Sequence, residues 1–152
     1  MEMRLQLLLP RDATGVPVAR RVLRNTLLTL GLERTCTEDI EIAMSEACSN
    51  VLLHAGVDDA FEVSAAVDAA QCVLEVADRG HGFDSPGPPR EPSPEDEHGR
   101  GLLLMHSLMD RLDFTTPPEG GTVARLSKNL VWDGPPMAGA DGVPAASLVH
   151  RG

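Results

Sequence analysis

The chain has 152 residues, enough for one domain with a hydrophobic core and too few for two comfortable ones. Its 23 acidic and 13 basic residues give a formal net charge of −10, which opposes nonspecific attraction to nucleic acid or to an anionic membrane. The three cysteines lack the paired CxxC spacing of a zinc site, and we expect them to be core thiols. No run suits a signal peptide or a membrane span, so we expect a cytoplasmic protein.

The first third of the chain predicts one strand and two helices. Leucines alternate through MRLQLLLP, as in a strand that ends at Pro10. Apolar residues then shift to helical spacing in VARRVLRNTLLTLG, and Gly31 suits the C-terminal cap of that helix. A second helix, with Thr35 or Thr37 as its N-cap, should end near Ala55.

The remaining elements predict a sheet covered by helices. FEVSAAV and CVLEVAD indicate an antiparallel hairpin, and residues 79–100, with five prolines and a run of acids, indicate a mobile loop. GLLLMHSLMDRL predicts a third helix, and LDFTT and TVARLSK predict two strands. We therefore expect an α/β (α+β) two-layer sandwich, with helices on one face of a mixed, mostly antiparallel sheet. Residues 1–130 would form this domain, and residues 131–152 a flexible tail.

Three polar residues follow one another at helical spacing in the second helix. Glu46, Asn50 and His54 are four positions apart, so they share a face next to the apolar one. For an isolated Glu46–Asn50 pair, a solvated helix face is the simpler interpretation, and only the accompanying glycine motifs favour a functional one. We interpret His54, near the helix end, as a cap or packing residue rather than a catalytic one.

Two glycine-containing segments supply further candidate site residues. Asp78 ends an apolar strand and precedes Gly80 and Gly82, which would allow a tight turn and close approach of the backbone to a ligand. Gly99 and Gly101 stand at the expected start of the third helix, where unpaired N–H groups and the helix dipole favour phosphate. Each motif is weak by itself. Their order along the chain is the stronger evidence.

That order resembles the GHKL, or Bergerat-fold, ATP-binding family. It comprises a helix with ExxxN, a strand ending in DxGxGF, a long loop, GxGL opening a helix, and GGT entering a strand. The compact domain and the segment SEACSNVLLHA are most similar to the anti-sigma-factor serine kinases of bacteria. The resemblance covers roughly residues 1–130, the usual size of one domain. It implies a Bergerat fold that binds ATP with magnesium.

The resemblance also implies roles for single residues. Asn50 would coordinate the magnesium ion that bridges the phosphates, and Asp78 would accept a hydrogen bond from the adenine amino group. Glu46 would be the catalytic base that takes the proton of the attacking hydroxyl. The other expected cofactor-binding residues are Gly80 and Gly82, which would shape the adenine pocket, Thr122 near the adenine, and Gly99, Arg100, Gly101 and Leu102 of the GRGL segment at the phosphates.

By the same resemblance, we expect a serine/threonine kinase that phosphorylates an anti-sigma-factor antagonist. A sigma factor as a second partner and a homodimer stay open, whereas nucleic acid and membranes are not expected partners. The main alternative is a nucleotide-dependent protein-binding regulator without kinase activity, although Glu46 argues against it because a pure binder needs no base. A detached ATP-binding half of a histidine kinase is a third option, disfavoured by the absence of dimerisation helices.

Overall fold

The computed structural model describes residues 2–54, 60–78, 97–116, 118 and 121–135. Its elements, in chain order, are β1 (Glu2–Pro10), α1 (Gly15–Leu30), α2 (Arg34–His54), β2 (Ala60–Asp68), β3 (Gln71–Asp78), α3 (Glu97–Leu108), β4 (Arg111–Thr115) and β5 (Val123–Asn129). Within these residues, no helix combines the length and the apolar character that crossing a membrane would require.

The five strands form one sheet in the order β1-β2-β3-β5-β4. Each of the four described pairings is antiparallel, including the predicted β2–β3 hairpin, in which Val63 lies opposite Val76. The expected two-layer α+β sandwich, with helices packed on the sheet, is confirmed. The described strands contain no parallel pair, so in this part of the chain the sheet is antiparallel rather than mixed.

Strict alternation of side chains decides which face of the sheet is covered. In β2 and β3 every second residue is buried, from Phe61 to Val67 and from Cys72 to Asp78, while the residues between them are only partly buried. Successive side chains of a strand point to opposite faces, so one face packs against the helices and the other carries polar residues such as Glu62 and Glu75.

The helices cover this face with apolar residues at helical spacing. α1 buries Ala19, Leu23 and Leu27, which are four positions apart and therefore share one face. α1 ends as predicted at Gly31, whose φ of 100° lies in the left-handed region that glycine adopts without steric strain.

The cysteines are buried in this core, as expected for core thiols. Burial raises the pKa of Cys48 and of Cys72 to about 12, and it raises the pKa of Cys36 as well. At neutral pH these thiols are therefore protonated and shielded from reagents.

The predicted N-cap of α2 is wrong. The helix begins at Arg34, so Thr35 and Thr37 both lie inside it. The Thr37 hydroxyl donates a hydrogen bond to the carbonyl oxygen of Glu33 at 2.9 Å, one turn back, instead of capping an N–H group. Such back-bonding satisfies a buried hydroxyl within a helix, and capping patterns in a sequence do not distinguish the two uses of threonine.

The third helix begins and ends earlier than predicted. α3 spans Glu97–Leu108, so residues 97–100 belong to a helix and not to the loop; residues 79–96 lie outside the described residues. The helix ends where Lys128 Nζ donates to the carbonyl oxygen of Leu108 at 2.5 Å. Asp110 Oδ2 then accepts a hydrogen bond from the backbone N–H of Asn129 at 2.6 Å, and β4 begins at the next residue. Contacts with β5, distant in sequence, set this end.

The first residues of the predicted tail contact the domain. Trp132 pairs with Leu32 in an isolated bridge, and its Nε1 donates to the carbonyl oxygen of Ala69 at 2.8 Å. The backbone N–H of Asp133 donates to the carbonyl oxygen of Gly31 at 2.9 Å. Residues 131–133 thus contact the domain, while the division into a domain of residues 1–130 and a tail of residues 131–152 stays a prediction. Residues 136–152 lie outside the described residues, and their flexibility stays a prediction.

We expect Trp132→Ala to lower the free energy of unfolding by about 2 kcal/mol, because it removes a half-buried ring and an indole donor. Trp132→Phe keeps most of the ring and should lose about 1 kcal/mol or less. Val131→Ala is the matched control, since that side chain is exposed in the same segment. Denaturant-induced unfolding measures all three. Parental stability of Trp132→Ala would show that this segment does not support the core.

Candidate functional site

The start of α2 lies beside the start of β3. Cys36 Sγ lies 4.0 Å from the carbonyl oxygen of Asn129, which is opposite Gln71 in the β3–β5 register. From Cys36, Asn50 lies about 21 Å along α2, and from Gln71, Asp78 lies about 23 Å along β3. If α2 follows β3, these two predicted site residues reach the same end of the molecule.

The other end of α2 shows that it does follow β3. Arg11 Nη2 donates to the carbonyl oxygen of Leu52 at 2.7 Å. Arg11 comes directly after β1, in which Leu9 is opposite Phe61, and Phe61 is opposite Asp78 on the other side of β2. The end of α2 and the end of β3 are thus on one side of the fold, which we call the site end.

Asn50 carries an unusual polar atom at the site end. The residue is 5% exposed, and its Oδ1 accepts no hydrogen bond from any residue that the structure describes. Leaving a buried acceptor unsatisfied costs about 1–3 kcal/mol, so such atoms are rare unless a ligand uses them. An amide oxygen is also a suitable ligand for a hard cation such as Mg²⁺. The environment of Asn50 therefore fits the metal contact that the sequence predicts.

Glu46 lies one turn before Asn50, on the same side of α2 and partly exposed. Its carboxylate lies against Gly101 of α3: a Cβ added at Gly101 would be 2.5 Å from Glu46 Oε2. No side chain fits there without moving the carboxylate. Gly101, expected to expose its N–H at a helix start, is instead one turn inside α3, where the absent side chain leaves room for Glu46.

Asp78 lies in close contact with the backbone of the segment before β5. Its N–H donates to the carbonyl oxygen of Thr122 at 3.0 Å, and the residue is only 6% exposed. Gly121 has a φ of 86°, and a Cβ there would be 2.9 Å from the Asp78 carbonyl oxygen. The segment before β5 can approach Asp78 this closely only with glycine at 121. Sequence reasoning did not single out Gly121, although the GGT motif contained the signal.

The remaining predicted site residues, and His54, lie as follows. Gly80 and Gly82 lie outside the described residues. Gly99 and Arg100 are in the first turn of α3, and Leu102 is partly buried and packs against the hydrophobic core. His54 is the last residue of α2. The structure thus brings Glu46, Asn50 and Gly101 to one end with Asp78 and Thr122, while their chemical roles stay predictions.

The sequence profile of the histidine kinase-like ATPase domain family matches residues 9–128. The chain belongs to this family. The serine-protein kinase RsbW of Bacillus thuringiensis (strain Al Hakam) is 31% identical over 131 residues, which cover 79% of this chain and 81% of that protein. The RsbW protein of Bacillus cereus (strain 03BB102) shows the same values. The resemblance recognised in the sequence is therefore confirmed.

A solved structure supports the fold of this histidine kinase-like ATPase domain. The crystal structure of the RsbU and RsbW domains of Rv1364c from Mycobacterium tuberculosis aligns with a TM-score of 0.64 and 23% sequence identity. The alignment covers 84% of this chain and 32% of that chain, so the present domain spans about a third of the solved protein.

One amide oxygen does not hold a magnesium ion by itself, so the metal contact expected at Asn50 would need further ligands. Among the described residues, no group of three or more histidine, cysteine, aspartate or glutamate side chains could hold a metal ion. Mg²⁺ in nucleotide sites is typically bound through one or two protein ligands, substrate phosphates and water. A single amide oxygen at Asn50 agrees with that arrangement.

If Asn50 Oδ1 is unsatisfied without ligand, Asn50→Ala should stabilise the ligand-free protein. The change improves helix propensity by up to about 0.7 kcal/mol and removes a desolvated acceptor worth about 1–3 kcal/mol. Asn25→Ala, at an exposed position of α1, is the control that reports helix propensity alone. Thermal and denaturant unfolding without nucleotide should show a larger gain for Asn50→Ala. Equal gains would mean that water satisfies Oδ1.

Proposed function

We propose that this domain binds ATP with magnesium and transfers the γ-phosphate to a serine or threonine of a partner protein. The observation that carries the proposal is the buried Oδ1 of Asn50, which has no hydrogen-bond partner among the described residues and lies one helical turn from the partly exposed Glu46. Membership of the ATPase domain family and the similarity to serine-protein kinases named RsbW support it.

Residues of three elements at the site end, α2, β3 and α3, would bind different parts of the nucleotide. Asn50 on α2 would hold the magnesium ion, which when bound neutralises phosphate charge. Asp78 at the end of β3 would accept the hydrogen bond from the adenine amino group, with Thr122 beside it. Of the GRGL segment, Gly99 and Arg100 in the first turn of α3 would approach the phosphates, because the positive end of the helix dipole there favours anions.

Glu46 would act on the partner protein rather than on the nucleotide. One turn of helix separates it from Asn50 by about 6 Å, a distance that leaves space for a hydroxyl between the carboxylate and the phosphates. Phosphoryl transfer depends mainly on positioning and electrostatics, and a carboxylate that accepts the hydroxyl proton orients the attacking oxygen. The contact with Gly101 restricts where this carboxylate can lie.

The partner we propose is an anti-sigma-factor antagonist. When this domain is not bound to the antagonist, it would bind a sigma factor and hold it inactive. This assignment rests on the similarity to RsbW and would place the protein in the cytoplasm, where ATP and sigma factors are found. A phosphate group adds nearly two negative charges to the antagonist. Because the kinase itself carries −10, repulsion would favour release of the phosphorylated product and so switch partners.

A direct transfer experiment tests the proposal against its alternatives. The protein is incubated with labelled Mg-ATP and with small antagonist-type domains from the same genome. Acid-stable label on one of them would support a serine or threonine kinase. Acid-labile label would indicate histidine phosphorylation, and ATP-dependent binding without any transfer would favour a regulator that lacks kinase activity.

Two isosteric variants separate nucleotide binding from transfer. Asp78→Asn replaces an acceptor by a group that can present a donor to the adenine amino group, and a mismatched buried contact of about 1–3 kcal/mol should weaken ATP binding roughly ten- to a hundredfold. Glu46→Gln should leave affinity nearly unchanged and slow transfer by about 10²–10⁴, because it removes the proton acceptor. Calorimetry and rate measurements check both. Parental transfer by Glu46→Gln would refute the assignment of the base.

Gly101→Ala should disturb the position of Glu46 without unfolding the protein. Alanine favours a helix over glycine by about 1 kcal/mol, and the atom it meets is the mobile end of a side chain. We therefore expect parental or slightly higher stability and a transfer rate about a hundredfold lower, since small misplacements of reacting groups have effects of that size. Ser107→Ala, exposed on α3, is the control. An unchanged transfer rate would show that this contact does not position the base.

A further inference from the structure

Three exposed apolar side chains lie on α2 and α3. Seven large apolar residues are exposed in the described part of the chain, and three of them lie on these two helices: Ile42 at 39%, Leu103 at 60% and Leu104 at 38%. The other four are distributed over β1, α1, β4 and the segment after β5. Leu103 is two residues after Gly101 and therefore points away from α2, so we call Ile42 and Leu104 the α2–α3 patch.

Two contacts show that α2 and α3 run antiparallel. At one end, Gly101 lies against the Glu46 carboxylate. At the other, Lys128 Nζ lies 2.5 Å from the carbonyl oxygen of Leu108 and 3.6 Å from Asp39 Oδ2. Residues near 42 on α2 and near 104 on α3 must therefore lie beside each other, midway between these contacts.

The α2–α3 patch adjoins the proposed catalytic base. Ile42 is four residues before Glu46 and shares its face of α2, about 6 Å away along the axis. Leu104 is three residues after Gly101, which touches Glu46. Both apolar side chains of the patch are therefore about one helical turn from the Glu46 carboxylate, along the groove between α2 and α3.

We infer that the α2–α3 patch is the docking surface for the protein that presents its hydroxyl to Glu46. The inference rests on the proposed kinase function and goes beyond it by assigning where the substrate protein binds. A standard interface buries about 800 Å² on each partner, the area of a disc of about 16 Å radius. A folded protein whose serine or threonine reaches Glu46 covers a patch that is about 6 Å away.

The chemistry of the patch defines the partner surface that fits it. Leucine and isoleucine side chains offer no charge, so the matching surface has apolar residues beside the acceptor serine or threonine. Such contact at the centre of an interface excludes water. Removal of water next to Glu46 also strengthens the electrostatic interactions on which phosphoryl transfer depends. The patch would therefore both select the substrate protein and improve the environment of its hydroxyl.

A matched pair of double variants tests this docking surface. Ile42→Ser with Leu104→Ser removes apolar area from the patch, and Leu8→Ser with Val18→Ser removes similar area at two exposed positions on β1 and α1. The acceptor is an antagonist-type domain that the parental protein phosphorylates. We expect the patch variant to raise the KM for this acceptor tenfold or more and to leave the KM for ATP unchanged. The control variant should keep both values.

The outcomes separate this inference from the proposed function. If the parental protein labels no acceptor domain, the kinase proposal fails and the docking inference fails with it. If the parental protein transfers phosphate and the patch variant has the same KM for the acceptor, only the docking inference is overturned. If sedimentation shows a parental dimer that the patch variant dissociates, the patch is an interface between two copies of this chain, and the inference is again overturned.

Thiol labelling supplies a second measurement that is independent of catalytic rate. The natural cysteines are buried, so Leu104→Cys introduces an accessible thiol that a maleimide reaches first. Addition of the acceptor domain should slow labelling of Leu104→Cys severalfold, while labelling of the control Leu8→Cys should stay the same. Equal labelling of Leu104→Cys with and without the acceptor would place the docking surface elsewhere.

Discussion

The packing of α2 against the sheet is the constraint on which the candidate site depends. One face of this helix is locked in the core by Ile40, Met44 and Val51, which are fully buried. Because residues of a helix turn by about 100° each, fixing this face also fixes the direction in which Glu46 and Asn50 point. A rotation that moved the two polar residues would expose core side chains. Stability of the core and geometry of the site are thus properties of one helix.

Several features of the site end are unfavourable for folding alone. An acceptor at Asn50 without a partner among the described residues, a glycine inside α3 and a glycine at 121 each reduce stability relative to simpler choices. They occur together where α2, β3, α3 and the start of β5 converge. Such a concentration of locally unfavourable choices is expected where binding, and not folding, determines the residues.

The distribution of charge and apolar surface fits a protein that recognises another protein. A formal charge of −10 disfavours binding to nucleic acids in general. Ile42 and Leu104 are one helical turn from Glu46 and from Gly101, so recognition and chemistry would use adjacent surfaces of α2 and α3. Partly buried polar contacts, such as the ion pair of Arg24 and Glu41 at 3.2 Å, connect α1 to α2.

Periodicity and motif order in the sequence determined the type of most elements, the antiparallel hairpin, the family and the choice of Glu46, Asn50 and Asp78, because these depend on local spacing and residue type. Only the tertiary structure decided what depends on long-range contacts. Lys128 and Asn129 of β5 set where α3 ends and β4 begins, and contacts of Trp132 and Asp133 join the first residues after β5 to the domain. The reason for glycine at 101 likewise follows only from the tertiary structure, because the group that leaves no room for a side chain there, the Glu46 carboxylate, is on another helix.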